Sequence, residues 1–446
     1  MSTYWFLPTK KEFRDFNLSG FNSPEGEKLG IQLLVNPNIE IHGKYSLSAG
    51  KIPNLSKLTK RVSSLYSLVL LNRNKIRTLG HQQRSLALLD PKHYSSSVIV
   101  YSWVALKKRQ RLFIQLLSLE ILFYIFRYLR TLIVFIETIR VRRHFNFNKG
   151  DVAIYPYSAF LDGIFDSWIQ ILQFLGVKTI AYQSNWDNLS SKCFIGATPD
   201  FFCLWGMQSV SHIKNIHEIK DSRIRIVGSP RFNQEFWSIA SNQLNYKSYD
   251  EPLKIFVAGT GDGIDDYDLF KYTSNSIKSL NFSKKPTIIY KPHPFTRSKE
   301  IADKVISDFE TSEHFNFLVL NNDVFNNNEV AYLEHLCSAN LLISHLSTLC
   351  LESLFVGTPV CIPLFIAEDK KFNWKQALDG LEHYKGFRLI RDVSAPSDVD
   401  EFNKVMKNLP TVSLEGGVDL SWFCSKRPFF DSFKTVILEA QANDQN

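Results

Sequence analysis

Short apolar runs alternate with polar turns along most of this 446-residue chain, and the pattern predicts a succession of buried strands separated by helices. The runs typical of strands in the first half are Ile31–Val35, Ser67–Leu71, Val98–Tyr101, Val152–Tyr155, Thr179–Gln183, Phe201–Leu204 and Arg225–Val227. Those in the second half are Lys254–Ala258, Thr287–Tyr290, Leu341–Ile343 and Val360–Pro363. Because helical stretches separate most of these strands, we expect an α/β protein with parallel sheets.

The strand Thr287–Tyr290 is followed directly by Lys291 and His293, and each of these two residues precedes a proline. Proline fixes its own φ and keeps the preceding residue out of the helical region, so both polar side chains are expected on stiff, extended backbone. Ligands of open α/β sheets bind at the carboxyl ends of the strands. The pattern therefore indicates a phosphate-binding loop, and the alternative is a surface loop with two polar side chains.

A second candidate anion site lies in the segment 340–363, where a short strand is followed by a helix over Leu349–Phe355. Ser347 and Thr348 stand at the amino end of this helix, where free backbone N–H groups and added hydroxyls suit a phosphate. Glu352 lies about one turn further on, where it could accept hydrogen bonds from ribose hydroxyls. The alternative is that Ser347 is a plain N-cap and Glu352 a favourable acid in the first turns of the helix.

A glycine-rich loop follows the strand Lys254–Ala258 and contains Gly259, Thr260 and Gly261. Glycine allows the backbone to approach a ligand closely, so this loop adds a third candidate anion site at a strand end. The acidic residues after it lack the spacing of a calcium loop and indicate a solvated loop or a helix cap: Asp262, Asp265, Asp266 and Asp268.

The order of these three loops resembles the donor-binding domain of GT-B glycosyltransferases over residues 253–365, in the bacterial surface-polysaccharide branch. That branch includes capsule sialyltransferases, Kdo transferases and CDP-glycerol polyol-phosphate transferases, and UDP-N-acetylglucosamine 2-epimerases share the fold. The resemblance implies two Rossmann-like domains that face a central cleft, and a nucleotide-activated donor. It also implies that His293, Ser347 and Thr348 contact the donor phosphate, with Lys291 and Glu352 in support.

The middle of the chain is similar to GT-B proteins of polysaccharide loci through W-D-N-L-S-S-K at 186–192, a W-G strand end and V-G-S-P-R-F at 227–232. In this fold, the turn that contains Ser229 faces the cleft, so the resemblance implies that Ser229 contacts the nucleotide-sugar donor. Trp186 could stack on a sugar or base, while Asp187 and Asn188 could hydrogen-bond to hydroxyls. The alternative for Trp186 is a packing anchor.

An inverting transferase needs a base that takes the proton of the acceptor hydroxyl, and the first candidate is Asp162, in the loop after Val152–Tyr155. Asp187 is the second candidate. The alternative role for Asp162 is an N-cap of a helix over Ile164–Leu175. The charge that develops on the departing phosphate can be held by cationic side chains, His293 and a helix N-terminus, so no metal and no cofactor is expected.

Positive charge is concentrated between Lys51 and Gly150, where there are 19 Lys and Arg residues and three acidic residues, whereas the whole chain carries a net charge of +8.

The pattern of residues 103–143 within this region predicts a helix that is basic at both ends and rich in aromatic and aliphatic side chains. The charge-free runs are too short to span a bilayer. Such a helix suits an anionic membrane surface. The alternative is one or two core helices with their basic ends in solvent. Nucleic acid is not expected as a partner, because no nucleic-acid-binding motif is present.

The domain layout expected from these patterns is an acceptor-side domain over 1–235, a linker over 236–250, a donor domain over 251–420 and a terminal helix in 421–446 that crosses back to the first domain. The six cysteines lack C-x-x-C spacing, which indicates buried thiols in a reducing compartment. The first residues lack the pattern of a signal peptide. We therefore expect a cytoplasmic protein or one peripheral on the inner face of the cell membrane.

The sequence thus favours a metal-independent glycosyltransferase that moves a sugar from a nucleotide-activated donor to a growing surface glycan or a lipid-linked acceptor. CMP and CDP donors are favoured over UDP and GDP, because the relatives with K-P-H-P use them. Three alternatives remain open: a sugar-nucleotide 2-epimerase, a polyol-phosphate transferase of the CDP-glycerol type, and a non-catalytic subunit of a surface-glycan assembly complex.

Overall fold

Two parallel β-sheets organise the chain in the computed structural model, which describes residues 1–36, 49–73, 108–157, 164–191, 195–242, 252–259, 266–280, 282–293, 297–320, 331–366, 374–409 and 420–442. These residues form two units. The first contains the described residues from Met1 to Gln234 and those from Ser421 onward, and the second contains those from Glu235 to Leu420. The predicted α/β class is confirmed.

The first unit is built on a seven-stranded sheet, counted over the described residues, with the order β3-β2-β1-β4-β5-β6-β7. All neighbouring strands are parallel, and Trp5 at the centre pairs with Leu33 on one side and Ile154 on the other. The strands are β1 Thr3–Leu7, β2 Ile31–Val35, β3 Ala49–Lys51, β4 Val152–Tyr157, β5 Lys178–Gln183, β6 Phe201–Leu204 and β7 Ile224–Ile226.

Helices cover both faces of this sheet. They are α1 Lys10–Leu18, α2 Pro24–Glu27, α3 Lys57–Arg73, α4 Lys108–Leu117, α5 Glu120–Arg142, α6 Ile164–Phe174, α7 Asn188–Ser191 and α8 Met207–His217. One prediction was wrong: Ser67–Leu71 belongs to α3 rather than to a strand, because a short apolar run fits a buried helix face as well as a strand. The predicted strand Val98–Tyr101 lies outside the described residues.

The second unit contains a six-stranded parallel sheet, again counted over the described residues, with the order β10-β9-β8-β11-β12-β13. Its strands are β8 Lys254–Ala258, β9 Thr287–Lys291, β10 Asn316–Val319, β11 Leu341–Ser344, β12 Val360–Cys361 and β13 Val393–Ser394. Its helices are α9 Gln234–Asn242, which begins at the boundary, α10 Asp266–Leu280, α11 Arg297–Phe309, α12 Ala331–Ser338, α13 Thr348–Phe355, α14 Trp374–Gly380 and α15 Val399–Asn408.

The predicted terminal helix is present as α16, Phe429–Ala442, and it packs on the first sheet. Phe433 is fully buried and its ring stacks on Trp5 with a centroid separation of 5.3 Å. Glu439 pairs with Arg225 on β7, with Nε donating to the carboxylate at 2.9 Å. The last helix is therefore part of the core of the first unit.

Cysteine side chains contribute to both cores. Cys203, Cys350, Cys361 and Cys424 are all buried, and burial raises the pKa of each thiol, in the case of Cys350 to about 11. These four thiols are protonated at neutral pH and pack as small apolar side chains.

Candidate functional site

The carboxyl ends of β8, β9 and β11 lie side by side in the second sheet, with β8 in the middle. The strand order changes direction at β8, since β9 and β10 follow on one side and β11 to β13 on the other. Such a switch point leaves a crevice between the loops at the carboxyl edge, and this is where ligands of open α/β sheets bind. The three loops singled out in the sequence follow these three strands, so the fold brings them to one edge.

Gly259 holds the loops after β8 and β9 together. Its N–H donates to the carbonyl oxygen of Lys291 at 3.0 Å. A Cβ atom at this position would lie 2.2 Å from Oδ2 of Asp266 and 3.1 Å from the backbone nitrogen of His293. Only glycine fits here without a shift of its neighbours, because real Cβ atoms do not approach that closely.

Lys291 is the last residue of β9, and His293 is the second residue beyond that strand. Both side chains are half-buried. The Lys291 ammonium lies 5.2 Å from the centroid of the Tyr332 ring, which is within the range of a cation–π interaction. The Tyr332 hydroxyl in turn donates to Oε2 of Glu352 at 2.8 Å. Tyr332 was not singled out in the sequence, yet it connects two residues that were.

The amino end of α13 also faces this edge. Ser347 is the N-cap residue with extended backbone (φ −153°, ψ 167°), and its hydroxyl makes no capping hydrogen bond in the described structure. That hydroxyl lies 3.9 Å from Sγ of Cys350, which is a weak contact. Thr348 is the first residue of the helix. The Ser347 side chain therefore does not cap α13 by a hydrogen bond, although Ser347 occupies the N-cap position.

Glu352 is buried in α13, and one of its carboxylate oxygens is engaged by Tyr332. The hydrogen bond from the Tyr332 hydroxyl to the buried Glu352 carboxylate fixes the orientation of the tyrosine. The predicted contact of Glu352 with ribose would require its other carboxylate oxygen.

Asp266 lies at the start of α10, next to the helix-cap position that was one of its two expected roles, but it is almost fully buried rather than solvated. The hydroxyl of Tyr290 on β9 donates to its Oδ2 at 3.3 Å. Burial, together with the carboxylate, raises the pKa of Tyr290. The aspartate thus contacts β9 through Tyr290 and lies directly against Gly259.

Four of the predicted residues that the structure describes lie in the first unit, and the packing of Trp186 is the clearest. Its side chain is 1% exposed, its indole N–H donates to Oε1 of Gln208 at 2.6 Å, and its ring meets Phe423 edge-on at 5.8 Å. An indole buried in this way presents no face to a sugar. The packing-anchor alternative therefore describes Trp186.

Asn188, Asp187 and Ser229 are arranged around the carboxyl ends of β5 and β7. Asn188 is buried and donates from Nδ2 to the carbonyl oxygen of Tyr157, which fastens the start of α7 to the end of β4 at 2.7 Å. Asp187 is half-buried just before α7. Ser229 is buried, and its hydroxyl accepts from the N–H of Arg231 at 3.3 Å. Asp162, Thr260 and Gly261 lie outside the described residues.

A group of charged residues that the sequence analysis missed lies at the carboxyl edge of the first sheet. It consists of Lys11, Glu12, Arg14 and Asp15 on α1 together with Arg231, and we call it the charged cluster. Glu12 and Asp15 are fully buried. The hydroxyl of Ser184, at the end of β5, lies 3.4 Å from Oε1 of Glu12 and 3.5 Å from Oδ2 of Asp15.

The cations of the charged cluster surround Asp15. Arg14 lies 3.2 Å and Arg231 3.7 Å from its Oδ1. Nζ of Lys11 is buried and has no hydrogen-bond partner among the described residues. Burial lowers the pKa of Lys11 to about 8, although Asp15 opposes this shift. A lysine with such a pKa can exchange protons near neutral pH.

A detectable signal for the charged cluster was present in the sequence. The apolar run Tyr4–Leu7 is followed at once by P-T-K-K-E-F-R-D, which places several charges at the start of a helix directly after a strand. The patterns in the sequence do not predict strand β1, so they place no candidate site at its carboxyl end. No group of three or more His, Cys, Asp or Glu side chains suited to a metal ion occurs in the part of the chain that the structure describes.

No family model matches this chain, and no curated protein sequence matches it. Among solved structures, the Methanocaldococcus jannaschii UDP-GlcNAc 2-epimerase in complex with UDP-GlcNAc and UDP matches with a TM-score of 0.51 and 9% identity, over 98% of this chain and 100% of that chain. The S. aureus MnaA–UDP co-structure matches with a TM-score of 0.49 and 10% identity, over 98% and 94%. The wall teichoic acid polymerase TagF matches with a TM-score of 0.37 and 15% identity, over 55% and 59%. The first of these likenesses extends over both parallel sheets, and at its low identity it shows the fold alone: the chain has a GT-B fold.

Proposed function

We propose that this protein is a glycosyltransferase that moves a sugar from a nucleotide-activated donor to a growing surface glycan or a lipid-linked acceptor. The observation that carries the proposal is the meeting of three anion-suited loops at the switch point of the second sheet. Gly259, Lys291 with His293, and the start of α13 follow three adjacent strands there. The GT-B fold supports the proposal as fold-level analogy.

In this proposal, the donor phosphate is bound by Lys291, His293 and the amino end of α13 with Ser347 and Thr348. Cleavage of the sugar–phosphate bond leaves negative charge on the departing nucleotide. Fixed N–H dipoles and a cation stabilise that charge without reorganisation at the moment of reaction. The engagement of Lys291 by the Tyr332 ring keeps the ammonium at the edge of the sheet.

The acceptor side is assigned to the first unit. Asp162 remains the proposed base, with Asp187 second, and the charged cluster adds Lys11 as a further proton-transfer group. Neutral Lys11 could take a proton from an acceptor hydroxyl, since its pKa of about 8 leaves part of the population uncharged near neutral pH. Glu12 and Asp15, which are fully buried, would then hold the lysine in place.

The donor site is tested by thermal shift with CMP, CDP, UDP and GDP and their sugars. We expect one nucleotide, with CMP and CDP favoured, to raise the melting temperature of the wild type and not of His293→Ala. His314→Ala provides the matched control, because His314 is exposed in the same unit. A shift that persists in His293→Ala, or no shift with any nucleotide, would contradict the donor site.

A sugar-nucleotide 2-epimerase is the second candidate, and the likeness to the M. jannaschii UDP-GlcNAc 2-epimerase over nearly the whole chain favours it. An epimerase turns over without an acceptor, whereas a transferase does not. Incubation with UDP-GlcNAc alone, followed by proton NMR of the product, therefore separates the two. Formation of the C2 epimer would establish the epimerase and remove the need for an acceptor site.

A further inference from the structure

The helix α5 carries a continuous apolar stripe on its outer side. Its members are spaced alternately four and three residues apart, so they follow one line along the helix. All six are exposed, and Ile121 and Tyr128 keep 75% and 71% of their surface. The stripe consists of Ile121, Ile125, Tyr128, Leu132, Phe135 and Ile139.

The opposite side of α5 is fixed on the first unit by polar and aromatic contacts. Arg130 is only 1% exposed; its Nη1 donates to Gln170 at 2.7 Å, and its guanidinium lies 4.4 Å from the centroid of the Tyr66 ring. Glu137 is buried and accepts from the hydroxyl of Thr59 at 2.9 Å. The inner side of the helix thus buries two charged residues besides its apolar ones, and the outer side exposes large apolar residues where a helix at a protein–water boundary usually carries polar ones.

The preceding helix α4 extends the same kind of surface. Leu112, Phe113 and Leu116 are exposed, while Ile114 is buried against the group around Tyr66. Together these neighbouring side chains form a larger continuous apolar surface than the single exposed apolar residues that are normal on a soluble protein. We call the exposed apolar residues of α4 and α5 the apolar face.

Basic residues border the apolar face. Arg109 on α4, Arg127 on α5, and Arg142 and Arg143 at the end of α5 are exposed. Residues 108–143 contain eight basic and two acidic side chains, a net charge of +6, and one of the two acids, Glu137, is buried beside Arg140. This charge attracts an anionic surface and opposes a symmetric contact with a second copy, in which the same charges would meet.

We propose that α4 and α5 dock on an anionic lipid bilayer, with the apolar face inserted at the level of the headgroups and the arginines on lipid phosphates. No helix in the described part of the chain is long and apolar enough to cross a membrane. The stripe from Ile121 to Ile139 is roughly 27 Å long at 1.5 Å per residue, and it lies in the plane of the interface. This inference is independent of the proposed transfer reaction.

Flotation of the full-length protein with phosphatidylcholine vesicles, with and without phosphatidylglycerol, tests the proposal. We expect binding only to the anionic vesicles. Replacement of Ile125, Tyr128 and Leu132 together by serine should reduce this binding at least tenfold. The double variant Arg142→Gln/Arg143→Gln should weaken it about 30-fold, since each basic residue contributes about 1 kcal/mol at such a surface.

Leu389→Ser is the matched control, because Leu389 is 87% exposed but lies in the second unit. It should bind vesicles as the wild type does. Circular dichroism and the melting temperature establish that the serine variant is folded, and its nucleotide-induced thermal shift should match that of the wild type. Absence of binding to anionic vesicles, or equal binding by the serine variant, would overturn the proposal. A wild-type dimer in light scattering that becomes monomeric in the serine variant would overturn it too, since a second copy would then cover the face.

Discussion

The hydroxyl of Tyr332 donates to Oε2 of Glu352 at 2.8 Å, while the ring of the same tyrosine lies 5.2 Å from the ammonium of Lys291. One side chain from α12 therefore connects the carboxyl end of β9 to the buried Glu352 of α13. The two interactions depend on different parts of Tyr332, so they can be separated by substitution.

Tyr332→Phe should lower the free energy of unfolding by about 1–2 kcal/mol, because it leaves a buried carboxylate oxygen without its donor. The retained ring should keep the nucleotide-induced thermal shift. Tyr332→Leu also removes the cation–π contact and should weaken nucleotide binding by a further factor of about two to five. Urea unfolding and nucleotide titrations measure both effects.

Tyr272→Phe is a suitable control for a lost hydroxyl, since Tyr272 lies in the same unit with its ring packed on Phe365 at 5.0 Å. Equal nucleotide affinity in Tyr332→Phe and Tyr332→Leu would argue against a role of the ring in holding Lys291.

Gly259→Ala should destabilise the second unit by about 1–3 kcal/mol and abolish the nucleotide-induced shift, because the added Cβ meets the Asp266 carboxylate. Asp266→Ala removes the obstructing group. The double variant should therefore lose less stability than the sum of the two single variants. Strict additivity in urea unfolding would show that the two residues do not collide.

Lys11→Met should stabilise the protein at pH 7 by up to about 3 kcal/mol, because the folded state then no longer buries a cation. Burial lowers the pKa of Lys11 from 10.5 to about 8. Between these values the unfolded chain binds more protons than the folded one, so the wild-type free energy of unfolding rises with pH. The advantage of the variant should shrink from pH 8 to pH 10.5, as measured by urea unfolding across this range.

A constant difference between Lys11→Met and the wild type at every pH would contradict the low pKa. If Lys11 transfers a proton in the proposed reaction, the rate of the wild type should rise as the pH increases through about 8. The rate of Lys11→Met should not show this rise.

His217 should make the first unit sensitive to acid. Burial lowers its pKa from 6.5 to about 4; its ring bonds to the carbonyl oxygen of Leu189 through Nε2 at 2.8 Å, and its Nδ1 accepts from the N–H of Ile195 at 3.3 Å. The stability that its neutral form contributes is complete above pH 6.5 and is lost as the pH falls through 4, by about 3 kcal/mol. His217→Gln should show a smaller loss between pH 6.5 and 4 in urea unfolding.

The donor-side loops were predictable because their signals are local. Gly259, Lys291 and Ser347 each follow an apolar strand, and parallel strands bring their carboxyl ends to one edge. The burial of Trp186 and Asp266 was not predictable, because it depends on Gln208, Phe423 and Tyr290, which are distant in sequence. The charged cluster was not predicted for a related reason. Its residues come together only because Tyr4–Leu7 is a central strand, and the pairing of this strand with β2 and β4 cannot be read from the local sequence.

The contact between Trp5 and Phe433 joins β1 to α16, which are the first strand and the last helix of the described residues. During synthesis, β1 leaves the ribosome before α16, so the apolar surface of the first sheet lacks this cover until α16 has been made. The second unit, whose residues are all made before α16, can fold while the first is still incomplete. A truncated or stalled chain would therefore expose a sheet face around Trp5 and Tyr182, and chaperones would be expected to bind the nascent protein there.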